Sequence, residues 1–177
     1  MSIVVRVTRH AASFCALTPK DLRGMLQALR ESAGYASWDV GCWVASNRTM
    51  ASLNHRYRGK GGPTDVLSFS PHQLAAPEAF GPLGVKVDRG SCAEEAPAAE
   101  AAARDLGDII IASEYVRAAC ARAALDERAH YEELLCHGLV HLLGYDHETE
   151  EQHAAMSEME EGLLRMLRRR TCDSKGG

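Results

Sequence analysis

Three histidines fall in one short run, His137-Gly138-Leu139-Val140-His141-Leu142-Leu143-Gly144-Tyr145-Asp146-His147. On a helix, His137 and His141 lie one turn apart on the same face, so both imidazoles can reach one ion. Gly144 stands where a left-handed residue can end that helix. The chain can then turn back and bring His147 to the same ion. Three neutral nitrogen ligands leave a fourth position for water, the open arrangement of a catalytic zinc site. Zinc is the ion this donor set favours, with nickel the alternative. Residue 138 is glycine, so the H-E-x-x-H pattern of zinc peptidases, with its general-base glutamate, is absent. A glycine there leaves room for substrate or backbone near the ion. Asp146 either accepts a hydrogen bond from a ligand's ring or makes a turn. Cys136 points about 100° away from His137 on a helix and does not share its face. His130 lies about 10 Å along the axis from His137, too far to share an ion. With His10, His55, His72 and His153 it reads as a surface residue.

The elements that must position this run are legible on both sides of it. A helix is expected over about 127–143. Ahead of it, Gly107 to Ala112 form an apolar run long enough for a buried strand, and Ser113 is expected to cap a helix carrying Val116 and Cys120. After it, Thr149 and Gln152 have the form of a capping box. They open a last helix with Met156, Met159, Leu163, Leu164 and Leu167 on its buried side. Arg165 and Arg168 to Arg170 sit at its C-terminal end, where positive charge suits the helix dipole.

The first half supplies more of both types. Residues 2–8 and 38–45 read as strands rich in β-formers. Between them, Thr18 and Pro19 open a helix with Leu22, Met25, Leu26 and Leu29 at helical spacing, stopped near Gly34. Ser46 or Asn47 caps a short helix with Met50, Leu53 and Tyr57, and residues 65–70 read as a third strand. Residues 71–104 are rich in alanine, acidic residues and proline and poor in bulky apolar ones. They read as a flexible insertion, with part of 94–104 open to helix. The class is therefore α+β: one mixed sheet of about four strands packed with about five helices, in one domain over 1–177.

Composition narrows the function classes. A chain with 46% hydrophobic residues and this length can bury a substantial core. The net charge is −4, so nucleic acid is not held by overall charge, and any RNA contact is local. The six cysteines are widely spaced with no C-x-x-C pair. That pattern argues for thiols in a reducing compartment rather than a disulfide framework or a cysteine zinc site. No run approaches the ~20 apolar residues of a membrane span, and the N-terminal residues lack the long apolar core of a secretion signal. The expected location is the cytoplasm or the mitochondrion, without secretion.

The H-G-x-x-H-L-x-G-Y-D-H string resembles the YbeY family, single-strand-specific endoribonucleases with roles in ribosomal RNA maturation. Asn54-x-x-Tyr57-Arg58-Gly59-Lys60, followed by Pro63-Thr64-Asp65-Val66-Leu67-Ser68-Phe69, is similar to the family's second signature, and Leu106-Gly107-Asp108-Ile109 to its third. Gly61-Gly62 departs from the family, which commonly has an acidic residue before Pro63. Val140 stands where leucine is usual, and the 71–104 insertion is longer than in compact bacterial members. The resemblance implies that His137, His141 and His147 hold one zinc ion and that Arg58 is the functional arginine. A guanidinium there would meet phosphate as a planar fork, unless it is spent on an ion pair with Asp65 or Asp108. Arg56 and Lys60 flank it and could hold neighbouring phosphates. The implied partners are single-stranded RNA, chiefly ribosomal RNA, and a ribosomal subunit or protein, with no DNA and no membrane. The alternatives are a non-catalytic ribosome-assembly factor with a structural ion and another metallohydrolase.

Overall fold

Period-two alternation of apolar residues on both faces of its central strands dictates how this sheet is covered. β2 (Asp39–Ala45) and β4 (Asp105–Ala112) are buried along most of their length. Cys42, Val44, Ile109 and Ile111 point into the larger core cluster, while Trp43, Ala45, Ile110 and Ala112 join a second, smaller one. Successive strand residues face opposite sides, so the two clusters lie on opposite faces of one sheet. The structure, a computed structural model, describes residues 2–71 and 104–173.

The sheet has the order β1-β2-β4-β3, with β1 at Ile3–Val7 and β3 at Val66–Phe69. β1 and β4 each run parallel to β2, and β3 runs antiparallel to β4. The mixed four-stranded α+β sheet read from the sequence is thus observed. Six helices accompany it among the described residues, rather than about five. The addition is α1 (Arg9–Ala12), four residues long and too short to show a helical period.

α2 (Pro19–Ser32) begins with a full capping box. The Thr18 hydroxyl accepts from the Asp21 backbone N–H, and the Asp21 carboxylate accepts from the Thr18 N–H at 2.9 Å. Ser46 is the residue that caps α3 (Asn47–Arg58), accepting from the Thr49 N–H. Ser113 does not cap α4 (Ser113–Ala123) as expected: Ala112 holds the cap position, without a side-chain bond. Ser113 is the first helical residue and is fully buried. Its hydroxyl donates to the Ala11 carbonyl at 2.9 Å, which ties α1 to the start of α4.

α5 (Glu127–Leu142) is buried on almost every side from Leu134 onward, as befits a helix surrounded by protein. It packs against β3, β4, α2, α4 and α6 (Glu150–Asp173). This buried helix carries His137 and His141 and so fixes their backbone. Residues 72–103, nearly all of the segment read as an insertion, lie outside the described residues. No described helix is long and apolar enough to cross a membrane.

Candidate metal centre and its cleft

α5 ends in a Schellman motif. The Gly144 N–H donates to the His141 carbonyl at 3.0 Å, and the Tyr145 N–H donates to the Val140 carbonyl at 3.2 Å. Gly144 sits at φ +93°, as the motif requires and as the sequence led one to expect. The reversal delivers His147 to the other two histidines. One ring nitrogen from each of His137, His141 and His147 can be chosen so that all three lie within 4.8 Å of one another.

The rings are held in graded fashion. His137 Nδ1 lies 2.7 Å from the Glu160 carboxylate, and His141 Nδ1 lies 3.0 Å from the Tyr145 carbonyl. A carboxylate and a carbonyl only accept, so both Nδ1 atoms carry the proton. In neutral rings both Nε2 atoms then present lone pairs, and these two atoms face each other at 3.1 Å. Two lone pairs that close repel unless a proton or a cation lies between them. A tetrahedral ion with bonds of about 2.0–2.1 Å spaces its donors by about 3.3 Å, near the observed separation. The donor set therefore fits a divalent ion, and it has no fourth protein ligand among the described residues. Burial, reinforced by the neighbouring His137, pushes the His141 imidazole below its ordinary pKa, against the Tyr145 carbonyl that favours the charged form. That keeps the ring neutral, the form that ligates.

The histidines open into a cleft of about 1090 Å³, lined also by Arg58, Lys60, Thr64, Asp65 and Ser68. Arg58 is the last residue of α3, and Asn54 fixes the loop that follows. Its buried side-chain amide donates to the Gly62 carbonyl at 2.9 Å, and its own carbonyl accepts the Lys60 N–H. Arg58 forms no ion pair with Asp65, Asp108 or any other described residue. Asp65 instead accepts from the Val66 N–H and the Thr64 hydroxyl. Arg56 does not line the cleft; its guanidinium lies over the Tyr57 ring at 5.6 Å. Asp146 accepts the backbone N–H of His147 at 2.8 Å, the turn-making role, while also lining the cleft.

Gly138 serves a purpose other than room for substrate. It faces the sheet, where an added Cβ would lie 2.7 Å from Ile109 Cγ2. Cys136 is buried away from the cleft, its thiol against the Glu160 carbonyl. Glu160 went unread in the sequence although a signal existed. It occupies the helical stripe of Met156, Leu163 and Leu167, an acidic residue at an apolar position.

The family model of endoribonuclease YbeY matches residues 15–168. The chain belongs to the endoribonuclease YbeY family. An endoribonuclease YbeY of Xanthomonas axonopodis pv. citri is 36% identical over 126 residues, 71% of this chain and 66% of that protein. One from Bartonella henselae is 32% identical over 129 residues, covering 73% and 68%. One from Sulfurihydrogenibium is 29% identical over 158 residues, covering 89% and 86%. A solution structure from Thermotoga maritima shares the fold with a TM-score of 0.50 at 19% identity, over 96% of this chain and 93% of that one. The family's relatives are thus RNA-cutting hydrolases by name, and the resemblance drawn from three short motifs extends over most of the chain.

Proposed function

We propose that this protein is a metal-dependent endoribonuclease that cuts single-stranded RNA, with ribosomal RNA as the substrate class and a ribosomal subunit or protein as its setting. The observation that carries this reading is the pair of lone-pair nitrogens of His137 and His141 facing each other across 3.1 Å, with His147 beside them. Those three residues would hold one divalent ion, zinc by donor type with nickel second. When bound, the ion supplies Lewis-acid polarisation and acidifies a water.

The rest is the work of the chain's own groups. Arg58 lines the same cleft as the histidines, as a cation without an acidic partner among the described residues. It binds the scissile phosphate and steadies the charge that builds on it during cleavage. Lys60 holds a neighbouring phosphate of the same strand. Arg56, stacked on Tyr57 outside the cleft, meets the strand only where it leaves the cleft. Asp146 holds the His147 backbone in its turn. The cleft is open to solvent, which lets an RNA strand enter it.

The test is cleavage of an end-labelled single-stranded RNA by metal-replete protein beside Arg58→Ala, His141→Ala and a chelated sample. Cutting by the wild type alone supports the reading. Equal cutting in all lanes, or none by a protein that keeps its ion and binds RNA, overturns it in favour of a non-catalytic assembly factor. A 2′,3′-cyclic phosphate end would assign the nucleophile to the RNA's own 2′-OH, and a simple phosphate end to water.

A further inference from the structure

This inference rests on the three-histidine reading above and goes to a residue outside it. The three proposed ligands are not equally anchored. His137 is tied to a carboxylate at 2.7 Å and His141 to a backbone carbonyl at 3.0 Å. The His147 ring has no hydrogen-bond partner among the described residues and stands exposed on the loop. Glu160 is a quarter exposed, against a third for His137, so their contact is only partly open to water. No described arginine or lysine pairs with Glu160. It stands on the apolar stripe of α6, turned toward α5, and its side-chain partner there is His137.

An acidic residue on a helix's buried stripe costs stability unless it is paired, and a neutral imidazole is a weak partner for that purpose. We propose that Glu160 is the positioning residue of the metal centre: it fixes the Nδ1–H tautomer and the ring angle of His137 and raises the donor strength of its Nε2. A carboxylate behind a ligating imidazole polarises the ring and holds one lone pair on the ion's axis. Because Glu160 lies on α6 while His137 and His141 lie on α5, it makes the α5–α6 contact part of the site. His147, reached through the loop between those helices, is the proposed ligand whose ring has no such anchor among the described residues.

The test uses the full chain and zinc alone as the probe. Affinity is measured by competition with a chromophoric chelator for wild type, Glu160→Ala, Glu160→Gln, His141→Ala and Glu161→Ala, the last an exposed neighbour. Glu160→Ala is expected to bind zinc about 10–100-fold more weakly. Glu160→Gln, whose amide oxygen still accepts from Nδ1, loses less, and Glu161→Ala matches the wild type. Imidazole nitrogen NMR on the zinc-free proteins supplies a readout that a purely structural role would leave alone. His137 is expected as the Nδ1–H tautomer in wild type and Glu160→Gln, and as a mixture in Glu160→Ala. Should Glu160→Ala fail to fold, Glu160→Met keeps the bulk without the carboxylate and carries the same expectation. Wild-type affinity or an unchanged His137 tautomer in the variant lacking the carboxylate overturns the inference. If instead His141→Ala binds zinc as tightly as the wild type, the three-histidine reading falls, and this inference with it.

Discussion

Gly138 stands between the histidine cluster and the sheet that supports it. Its missing side chain lets α5 settle on Ile109, where a Cβ would come within 2.7 Å of Cγ2. Gly138→Ala is therefore expected to destabilise the fold by roughly 1–3 kcal/mol, the usual cost of overpacking, and to weaken zinc binding because the next residue back is His137. Paired with Ile109→Ala, the added methyl partly fills the space the isoleucine leaves. Chemical denaturation should then show the double variant less destabilised than the two single costs added together. Strict additivity would mean that α5 shifts freely and that the contact does not set its height. At this scale the sequence brought the three histidines together and misjudged their neighbours. His137, His141, Gly144 and His147 are read from spacing along one helix and its end, which is local. The purpose of Gly138 and the presence of Glu160 depend on which face of α5 meets β4 and which meets α6, and no spacing within 137–147 contains that.

At the scale of elements, three of the four serine and threonine signals before helices show what local pattern can decide. Thr18 and Ser46 cap as their positions imply, since an N-cap bond spans only three residues. Ser113 has the same type and place, yet its hydroxyl goes to Ala11, roughly a hundred positions away in sequence. Tertiary contact outbid the cap. The two uses predict comparable costs on denaturation. Ser46→Ala should cost about 1 kcal/mol, as for a lost cap. Ser113→Ala removes a buried bond from the Ala11 carbonyl, which keeps the Phe14 N–H at 3.1 Å, and should cost about 0.5–1.5 kcal/mol. A Ser113→Ala cost well below that of Ser46→Ala would show that water replaces the bond. The Thr18 box also carries a pH signature. The Thr18 hydroxyl and backbone N–H hold the Asp21 carboxyl below its ordinary value of 3.8. A depressed folded-state pKa means that the stabilisation is complete above 3.8 and is lost as pH falls through the folded value. The deficit of Thr18→Ala relative to wild type, about 1 kcal/mol at pH 7, should shrink near pH 3. A deficit equal at both pH values would uncouple Asp21 from the cap.

For the whole molecule, the balance of charge decides how RNA can be held. The chain carries 24 acidic and 20 basic residues, so its overall field does not draw in a polyanion. The cleft is no more inviting by itself. Arg58 and Lys60 line it together with Asp65, Asp146 and Glu148, which leaves one formal negative charge. A divalent ion at the histidines would reverse that sign. Affinity for RNA should therefore depend on the ion even where no bond is cut. Fluorescence anisotropy with a cleavage-resistant single-stranded RNA analogue is expected to show tighter binding by zinc-loaded protein than by chelated protein. The salt dependence of the loaded form should be shallow, because few phosphates are neutralised: a single-strand contact contributes a slope of about −0.7 in log affinity against log salt. Lys60→Ala should flatten that slope by about 0.7, whereas Glu148→Gln should strengthen binding by removing a competing anion. Equal affinity with and without zinc, or a slope unmoved by Lys60→Ala, would place the RNA outside this cleft and separate the histidine centre from substrate binding.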